Sequence, residues 1–282
     1  MIPAAPGPVA LASQDSTALP FLAEMHGVQL DQLCALLGLT SRQSRALVAR
    51  WVSQKLAESG TLSPGPPWIW LTRAGLRAVG ARYPAGPPAL PRLAHLRAVC
   101  AVRLALQSVA AYNDGGAHWR SERHLRARAD GRVGGRDHLP DAEVHWPDAL
   151  APGPPAPWAG ECWAIEAELT PKTASRTTAI MRELLTRTGD YGSLAAEVRV
   201  PGRAPRHARV IYLCAPAARA TVARARDALG SAAARIEIRS LPPGAAMAAP
   251  SAPRALRARR QAPQSASWGG AKSPPKRGGE PQ

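Results

Sequence analysis

Two short segments of this chain, PDAEVHW and WAIEAEL, alternate strictly between polar and apolar residues, as a strand with one buried face must. On the polar face, the first segment carries Asp141 and Glu143, and the second carries Glu166 and Glu168. If the two strands are neighbours, four carboxylates share one surface, and they repel one another unless a cation or a proton neutralises them. The pattern therefore predicts a β-sheet with an acidic face, and a divalent-metal site is the first hypothesis for that face.

The charge of the chain points to a polyanionic partner. The 282 residues include 36 Lys and Arg against 20 Asp and Glu, which gives a net charge of +16 and a pI of about 11.1. Such an excess predicts binding to nucleic acid, here double-stranded DNA. Only four of the basic residues are lysines, among them Lys172. The arginine excess is also what a GC-rich genome encodes, so the charge supports a DNA partner without proving one.

The cysteines and the hydropathy exclude other classes. Cys34, Cys100, Cys162 and Cys214 lie more than fifty residues apart, which fits neither a zinc site nor a disulfide framework and predicts reduced thiols. The first basic residue is Arg42, so a secretory signal is not expected. No uninterrupted apolar run of about 18 residues is present. We expect a cytoplasmic protein without a membrane partner.

The composition predicts five segments along the chain. They are a disordered N-terminus (1–17), a first domain (18–84), a Pro/Gly linker (85–92), a second domain (93–241) and a C-terminal tail (242–282). The tail holds seven basic residues and Glu280 as its one acid, which is typical of a disordered cationic arm. The length leaves room for two modest cores.

The order of elements in residues 18–84 predicts a winged helix-turn-helix. The expected elements are helices over 20–25, 30–37 and 41–59, a strand over 68–71 and a helix over 73–83. In a winged helix the third helix enters the major groove and its first turns contact base edges. The polar residues of those turns are Ser41, Arg42, Gln43 and Arg45. Arginine and glutamine can bind guanine and adenine bidentately, so these four residues are the predicted DNA-binding set.

Two alternatives for this first domain stay open. It is either a small helical domain whose polar face is merely solvated, or a winged helix that contacts proteins rather than DNA. If it reads DNA, a homodimer is the default expectation, because paired winged helices commonly read two half-sites.

The second domain resembles the PD-(D/E)xK restriction-endonuclease-like core. The elements expected there are a helix over 93–112, the two acidic strands, a helix of about sixteen residues after Lys172, a strand over 209–214, a helix over 216–230 and a strand over 235–241. The resemblance implies that Asp141 and Glu166 hold Mg²⁺ and that a lysine two residues after the glutamate orients the attacking water. Glu168 occupies that lysine position. The implied catalytic set is therefore Asp141, Glu166, Glu168 and Lys172, with the three carboxylates as metal ligands.

A simpler interpretation of the acidic strands is also open. An antiparallel hairpin with one wet face would alternate in the same way, and its acids would pair with arginines such as Arg120, Arg123 or Arg126. Under this interpretation His145 is a polar surface residue, and His138 is structural because it has no ligand spacing.

The chain as a whole resembles the actinobacterial replication-relaxation family. The segments that carry the likeness are WIWLTRAGLRAVG, HLPDAEV with WAIEAELTPK, and VIYLCAP, and the match extends over residues 18–241. The resemblance implies an α+β or α/β protein with a winged helix and a mixed sheet, encoded on a plasmid or integrative element. Its members assist replication or conjugative DNA processing.

These observations leave three hypotheses for the function. The preferred one is a DNA-binding accessory protein of a mobile element, with the basic tail adding salt-sensitive affinity. The first alternative is a Mg²⁺-dependent nuclease or nickase. The second is a scaffold that recruits a relaxase or a replication initiator and touches DNA only weakly.

Overall fold

The computed structural model describes residues 13–114, 116–129, 138–148, 158–188 and 204–247. All of these residues belong to one compact unit, and Ser251–Gln282, assigned to a second unit, lie outside the described residues. The fold is mixed α+β, with one three-stranded and one five-stranded sheet. In the part of the chain that is described, no helix has both the length and the apolar character needed to cross a membrane.

The N-terminal part consists of four helices and a small antiparallel sheet. Its elements are α1 (Ser13–Met25), β1 (Val28–Gln29), α2 (Leu30–Leu37), α3 (Ser41–Ser53), β2 (Ala57–Gly60), β3 (Trp68–Leu71) and α4 (Arg73–Ala78). The sheet has the strand order β1-β3-β2. The predicted bounds of α2 and β3 are confirmed. Trp51, Trp68 and Ile69 are fully buried and hold α3 and β3 in the core.

Helix α1 begins seven residues earlier than the predicted start at Pro20. Asp15 is buried, and its Oδ1 accepts hydrogen bonds from Arg50 (2.6 Å) and from the indole of Trp51 (2.8 Å). These tertiary contacts stabilise a helical turn that has no apolar periodicity of its own. The predicted disorder of residues 1–17 is therefore wrong for residues 13–17, whereas residues 1–12 lie outside the described part.

Helix α3 ends at Ser53, so the prediction that it reaches Ser59 is wrong. The chain turns at Lys55, whose φ is 58°, and residues 57–60 form β2. Strand β2 pairs with β3, and the indole of Trp70 lies against Gly60, where a β-carbon would approach the ring to 3.2 Å. Pairing with a distant strand is a tertiary effect that helical periodicity does not report. Helix α4 is likewise shorter than predicted.

The C-terminal part is a five-stranded mixed sheet with helices on both faces. Its elements are α5 (Leu93–Gln107), α6 (Ala110–Asp114), β4 (His118–Ser121), α7 (Glu122–Arg128), β5 (Ala142–His145), β6 (Cys162–Glu168), α8 (Ala174–Thr186), β7 (Arg209–Cys214), α9 (Pro216–Asp227) and β8 (Ile236–Ser240). The strand order is β4-β5-β6-β7-β8. The first three strands run antiparallel and the last three parallel. Strand β7 has its predicted bounds, and the predicted helix 93–112 is divided into α5 and α6.

The two faces of this sheet have different neighbours. One face, with Val144 and Ile165, packs into the same core as Val99 and Val102 of α5. The opposite face includes Ala164, Val210 and Ile236. It packs against α8 and α9, whose buried residues there include Met181, Leu184 and Val222. Helices therefore cover both faces, as they do over parallel strands in general.

A buried arginine joins the two parts of the molecule. Arg97 of α5 is 7% exposed, and its guanidinium donates to both carboxylate oxygens of Asp31 (3.0 and 2.6 Å) and to Oε1 of Gln29. It also donates to the backbone carbonyl of Ala246 (2.9 Å). Ala245 is buried beside it. The predicted tail therefore does not begin at 242, because residues 242–247 pack on α5.

We predict that Arg97→Met lowers the free energy of unfolding by about 2–4 kcal/mol, because Gln29 and Ala246 lose their buried donor and Asp31 its ion pair. Urea denaturation measures this loss. Arg77→Met, at an exposed site on α4, is the matched control and should change the value by less than about 0.5 kcal/mol. Equal stabilities for the two variants would contradict the prediction.

Candidate functional site

The register of β5 and β6 brings the predicted carboxylates together. Ala142 pairs with Ile165 and Glu143 with Ala164, so Asp141, which directly precedes β5, lies opposite Glu166. Asp141, Glu143, Glu166 and Glu168 therefore share one face of the sheet, as their alternation predicted. We call this set the acidic face.

The acidic face is covered rather than wet. Glu143, Glu166 and Glu168 are 0, 4 and 5% exposed. The helices α8 and α9 lie over this side of the sheet, so the interpretation as a hairpin with a solvated face is wrong. A buried carboxylate is costly unless it is protonated or paired, and each member of the acidic face has its own partner.

Asp141 is held by a histidine and a backbone amide. Its Oδ1 lies 2.7 Å from Nε2 of His95 on α5, and its Oδ2 accepts the amide hydrogen of Ala167 at 2.8 Å. Burial disfavours the charge, but the hydrogen bond and charge of His95 outweigh it and lower the pKa of Asp141. Burial disfavours the imidazolium as well, yet Asp141 raises the pKa of His95 above its ordinary value. The two side chains therefore form an ion pair.

Glu166 is paired with His138, which sequence reasoning treated as structural. Nε2 of His138 lies 2.7 Å from Oε1 of Glu166, and the backbone amide of His138 donates to Glu183 of α8 (3.0 Å). Burial and the charge of Asp141 raise the pKa of Glu166, the contact with His138 lowers it, and the net result is a pKa of about 7. Near neutral pH the Glu166–His138 pair therefore keeps a proton that an exposed glutamate would release.

The side chain of Lys172 reaches the acidic face, although Lys172 lies just before α8 and not on β6. Its Nζ is 2.6 Å from Oε2 of Glu168. The charge of Lys172 also reaches Glu166 and favours the ionised form of that residue. The position of Lys172 agrees with the predicted set, but its ammonium is engaged by the glutamate that occupies the usual lysine position.

Tyr212 is a member of this site that the sequence analysis missed. It pairs with Glu166 across the parallel β6–β7 ladder and is 1% exposed. Its hydroxyl has no hydrogen-bond partner among the described residues. Burial, followed by the charges of Glu166 and Glu168, raises the pKa of Tyr212 well above its ordinary value. The sequence shows a tyrosine in the segment VIYLC, but only the strand register shows that this tyrosine adjoins the carboxylates.

The predicted ligand set does not fit Mg²⁺ as it is arranged. Both oxygens of Asp141 already have hydrogen-bond partners. His138 contacts one oxygen of Glu166, and Lys172 contacts one oxygen of Glu168. In the described ranges these three carboxylates do not form a group whose ligand atoms all lie within 4.8 Å of one another. Mg²⁺ requires near-octahedral oxygen ligands at about 2.0–2.1 Å. Binding would first have to displace the histidines.

A different trio on the same sheet does come close enough to hold a metal ion. Ligand atoms of Glu143, His145 and Cys162 all lie within 4.8 Å of one another. His145 and Cys162 are directly paired across β5 and β6, with Nε2 and Sγ 3.6 Å apart. Oxygen, nitrogen and sulfur ligands together suit a borderline ion such as Zn²⁺ better than Mg²⁺. Sequence spacing did not indicate this trio, because the strand register is what makes it.

Glu143 also has protein partners that neutralise it without a metal. Arg206 donates to both of its carboxylate oxygens (2.5 and 2.7 Å), and Nε2 of His207 lies 2.8 Å from Oε1. Burial opposes the charge of Glu143, but the contacts with His145, His207 and Arg206 outweigh it and lower the pKa far below its ordinary value. An arginine does pair with the acidic face, therefore, but it is Arg206.

Of the three arginines that sequence reasoning offered as partners, Arg120 of β4 lies opposite Glu143 in the β4–β5 register, whereas the other two lie elsewhere. Arg123 donates to the backbone carbonyl of Ala23 (2.7 Å) and to that of Pro84, and Arg126 donates to Glu122 (2.5 Å). The suggested pairing of Arg123 and Arg126 with the acidic strands is therefore wrong, because Arg123 extends toward the end of α1 and Arg126 pairs within α7.

The first turns of α3 present the predicted DNA-binding residues to solvent. Ser41, Arg42, Gln43 and Arg45 are all exposed. Arg42 and Arg45 make no hydrogen bond or ion pair with any described residue. Gln43 differs from them, because its Oε1 accepts from the amide (2.9 Å) and hydroxyl (2.8 Å) of Thr40 in a capping box. An adenine contact needs that oxygen, so Gln43 is committed to the helix end.

No family model, no curated protein and no solved structure matches this chain. The likeness to the replication-relaxation family and to the endonuclease-like core therefore stays a prediction. The function has to be argued from the site itself.

We predict that Glu166→Gln stabilises the protein at pH 8 and not at pH 4.5. An unfolded glutamate ionises near pH 4.3 and the folded Glu166 near pH 7, so wild-type stability falls as pH rises between these values. The amide has no proton to lose, so the variant should gain about 1–3 kcal/mol relative to wild type at pH 8. Urea denaturation at both pH values measures the difference.

Glu168→Gln is the matched control on the same strand face. It removes the ion pair with Lys172 and should lower stability at pH 8. If Glu166→Gln were more destabilised at pH 8 than at pH 4.5, the assignment of a raised pKa to Glu166 would be wrong.

Proposed function

We propose that this protein is a DNA-binding accessory factor of a plasmid or integrative element, acting in replication or conjugative DNA processing. The observation that carries the proposal is the pair of exposed guanidinium groups of Arg42 and Arg45 on the first turns of α3, which bind no other residue in the described part of the chain. The mobile-element setting rests on the family resemblance alone. The expected protein partner is a relaxase or a replication initiator.

The order of the N-terminal elements supports a winged helix. Helix, short strand, two helices and a β-hairpin follow one another, and the three strands pair as β1-β3-β2. In that fold α3 is the recognition helix and the β2–β3 hairpin is the wing. The buried side of α3 carries Leu47, Val48 and Trp51, and Arg42 and Arg45 are exposed on its other side.

The spacing of the two arginines suits a major groove. Residues three apart lie on the same side of a helix, so Arg42 and Arg45 reach in one direction. Each can bind the O6 and N7 acceptors of a guanine bidentately.

A second candidate is a metal-dependent nuclease. The strands and helices from α5 to β7 resemble the endonuclease-like core, and Asp141 lies opposite Glu166, where the resemblance implies a metal ion. Against it stand the two histidines on these carboxylates. A scissile phosphate also needs a free cation nearby, and the ammonium of Lys172 is paired with Glu168. We therefore favour the accessory role.

We predict that Arg42→Ala/Arg45→Ala abolishes sequence-selective DNA binding while the fold is kept. Each lost bidentate contact should cost about 1–3 kcal/mol of discrimination. The measurement is selection from a pool of random duplexes, followed by titration of the selected sequence and a scrambled one at fixed salt. The wild type should enrich a motif that the variant no longer prefers.

The control is Arg219→Ala/Arg224→Ala, which removes the same charge from exposed positions of α9. It should weaken binding to both duplexes equally and keep the preference. If the wild type enriches no motif, or if the α3 variant keeps its preference, α3 is not a reader.

We also predict that Mn²⁺ binds weakly to the wild type and more tightly to His95→Ala/His138→Ala, because removal of the imidazoles frees oxygens of Asp141 and Glu166. Calorimetric titration with Mn²⁺ measures this. In parallel, supercoiled and single-stranded DNA are incubated with Mg²⁺ or Mn²⁺ and either wild type or Asp141→Ala. Cleavage that only the wild type performs would overturn the accessory role and identify a nuclease.

A further inference from the structure

A cavity of about 460 Å³ lies where the N-terminal and C-terminal parts meet. Its walls come from the end of α1, the segment after α4, the start of α5 and the β4–α7 junction. Asp141 is part of the wall, so the cavity reaches the edge of the acidic face. The volume falls in the range of small-molecule sites, about 300–1,000 Å³.

The rim of this cavity is rich in arginine. The lining residues of fixed charge, apart from Asp141, are Arg82, Arg92, Arg123, Arg126, Glu24 and Glu122. Arg92 and Arg126 share the single carboxylate of Glu122. Arg82 is exposed and makes no hydrogen bond or ion pair with any described residue. The rim therefore has more positive than negative charge.

The acids of the wall do not cancel this excess. The charge of Asp141 is balanced by His95, which also lines the cavity. The carboxylate of Glu24 accepts hydrogen bonds from the hydroxyls of Tyr83 and Ser121 (both 2.5 Å). It is therefore directed toward neutral donors at one side of the cavity. An anion at the rim would meet guanidinium groups, which bind phosphate oxygens in a fork geometry.

The inner wall is apolar. Met25 and Val99 are buried in the core, and Leu96 is half-buried beside them. A flat apolar group such as a nucleobase would be stabilised by burying its surface against them. Apolar lining with a few convergent charged groups is the usual composition of a ligand site.

We propose that this cavity binds a nucleoside monophosphate unit, with its phosphate at Arg82, Arg92 and Arg126 and its base against Met25, Leu96 and Val99. Two sources share this chemistry, a free mononucleotide and the 5′-phosphorylated end of a single DNA strand. The site is separate from α3, so it does not depend on the DNA-reading proposal.

Calorimetric titration of the full-length protein tests the proposal with dAMP, deoxyadenosine, inorganic phosphate and a trinucleotide with or without a 5′-phosphate. We expect dAMP or the phosphorylated trinucleotide to bind at least about tenfold more tightly than deoxyadenosine and inorganic phosphate, because base and phosphate contacts combine. Tighter binding of dAMP identifies the free nucleotide as the source, and tighter binding of the trinucleotide identifies the strand end.

Two variants locate the binding. Arg82→Ala should weaken it about tenfold, whereas Arg77→Ala, an equally exposed arginine five residues earlier, should leave it unchanged. Ala127→Trp places an indole at the cavity from an exposed position of α7 and should block binding with the fold intact. Arg42→Ala/Arg45→Ala should bind nucleotide like the wild type, which separates this test from that of α3.

The proposal is overturned if no probe binds, if deoxyadenosine or inorganic phosphate binds as tightly as the nucleotide, or if both Arg82→Ala and Ala127→Trp bind like the wild type.

Discussion

The guanidinium of Arg97 is the interaction on which the arrangement of this molecule depends. A buried cation must be paired and hydrogen-bonded, and Arg97 draws its acceptors from β1, α2 and the segment after β8. β1 and α2 are adjacent in sequence, but the segment after β8 is distant from them, and all three bind one side chain. The consequence is that α3, which packs on α2, and the sheet, which packs on α5, belong to one compact unit rather than to two bodies on a linker.

The acidic face shows how a protein can gather carboxylates without a shared cation. Asp141 has His95, Glu166 has His138, Glu168 has Lys172 and Glu143 has Arg206, each within hydrogen-bond distance. One-to-one pairing lowers the repulsion that clustered charges would otherwise exert. It also leaves few oxygens for a solvent ion. The side chains that surround the acidic face satisfy its acids individually.

The sequence predicted those features whose signal is local. Alternation located β5, β6 and their common acidic side, and the apolar run VIYLC located β7. The predictions that failed depend on contacts between residues distant in sequence. Residues 57–59 were predicted to be helical because their pairing with β3 is a tertiary contact, and nothing in the sequence indicated that Asp15 bonds to α3. Register placed Tyr212, His145 and Cys162 at the site, and no spacing along the chain encodes register.

If α3 reads DNA as we propose, the capping box at its start limits how much sequence this helix can specify. With the side-chain amide of Gln43 hydrogen-bonded to Thr40, Arg42 and Arg45 are the long side chains left to read bases. Two guanidinium groups distinguish about two base pairs, a pattern that random DNA offers about once in sixteen positions. Under that proposal a single copy of the helix carries too little information to find one locus. Selectivity then has to come from repeated copies of the protein along DNA or from further contacts through a partner.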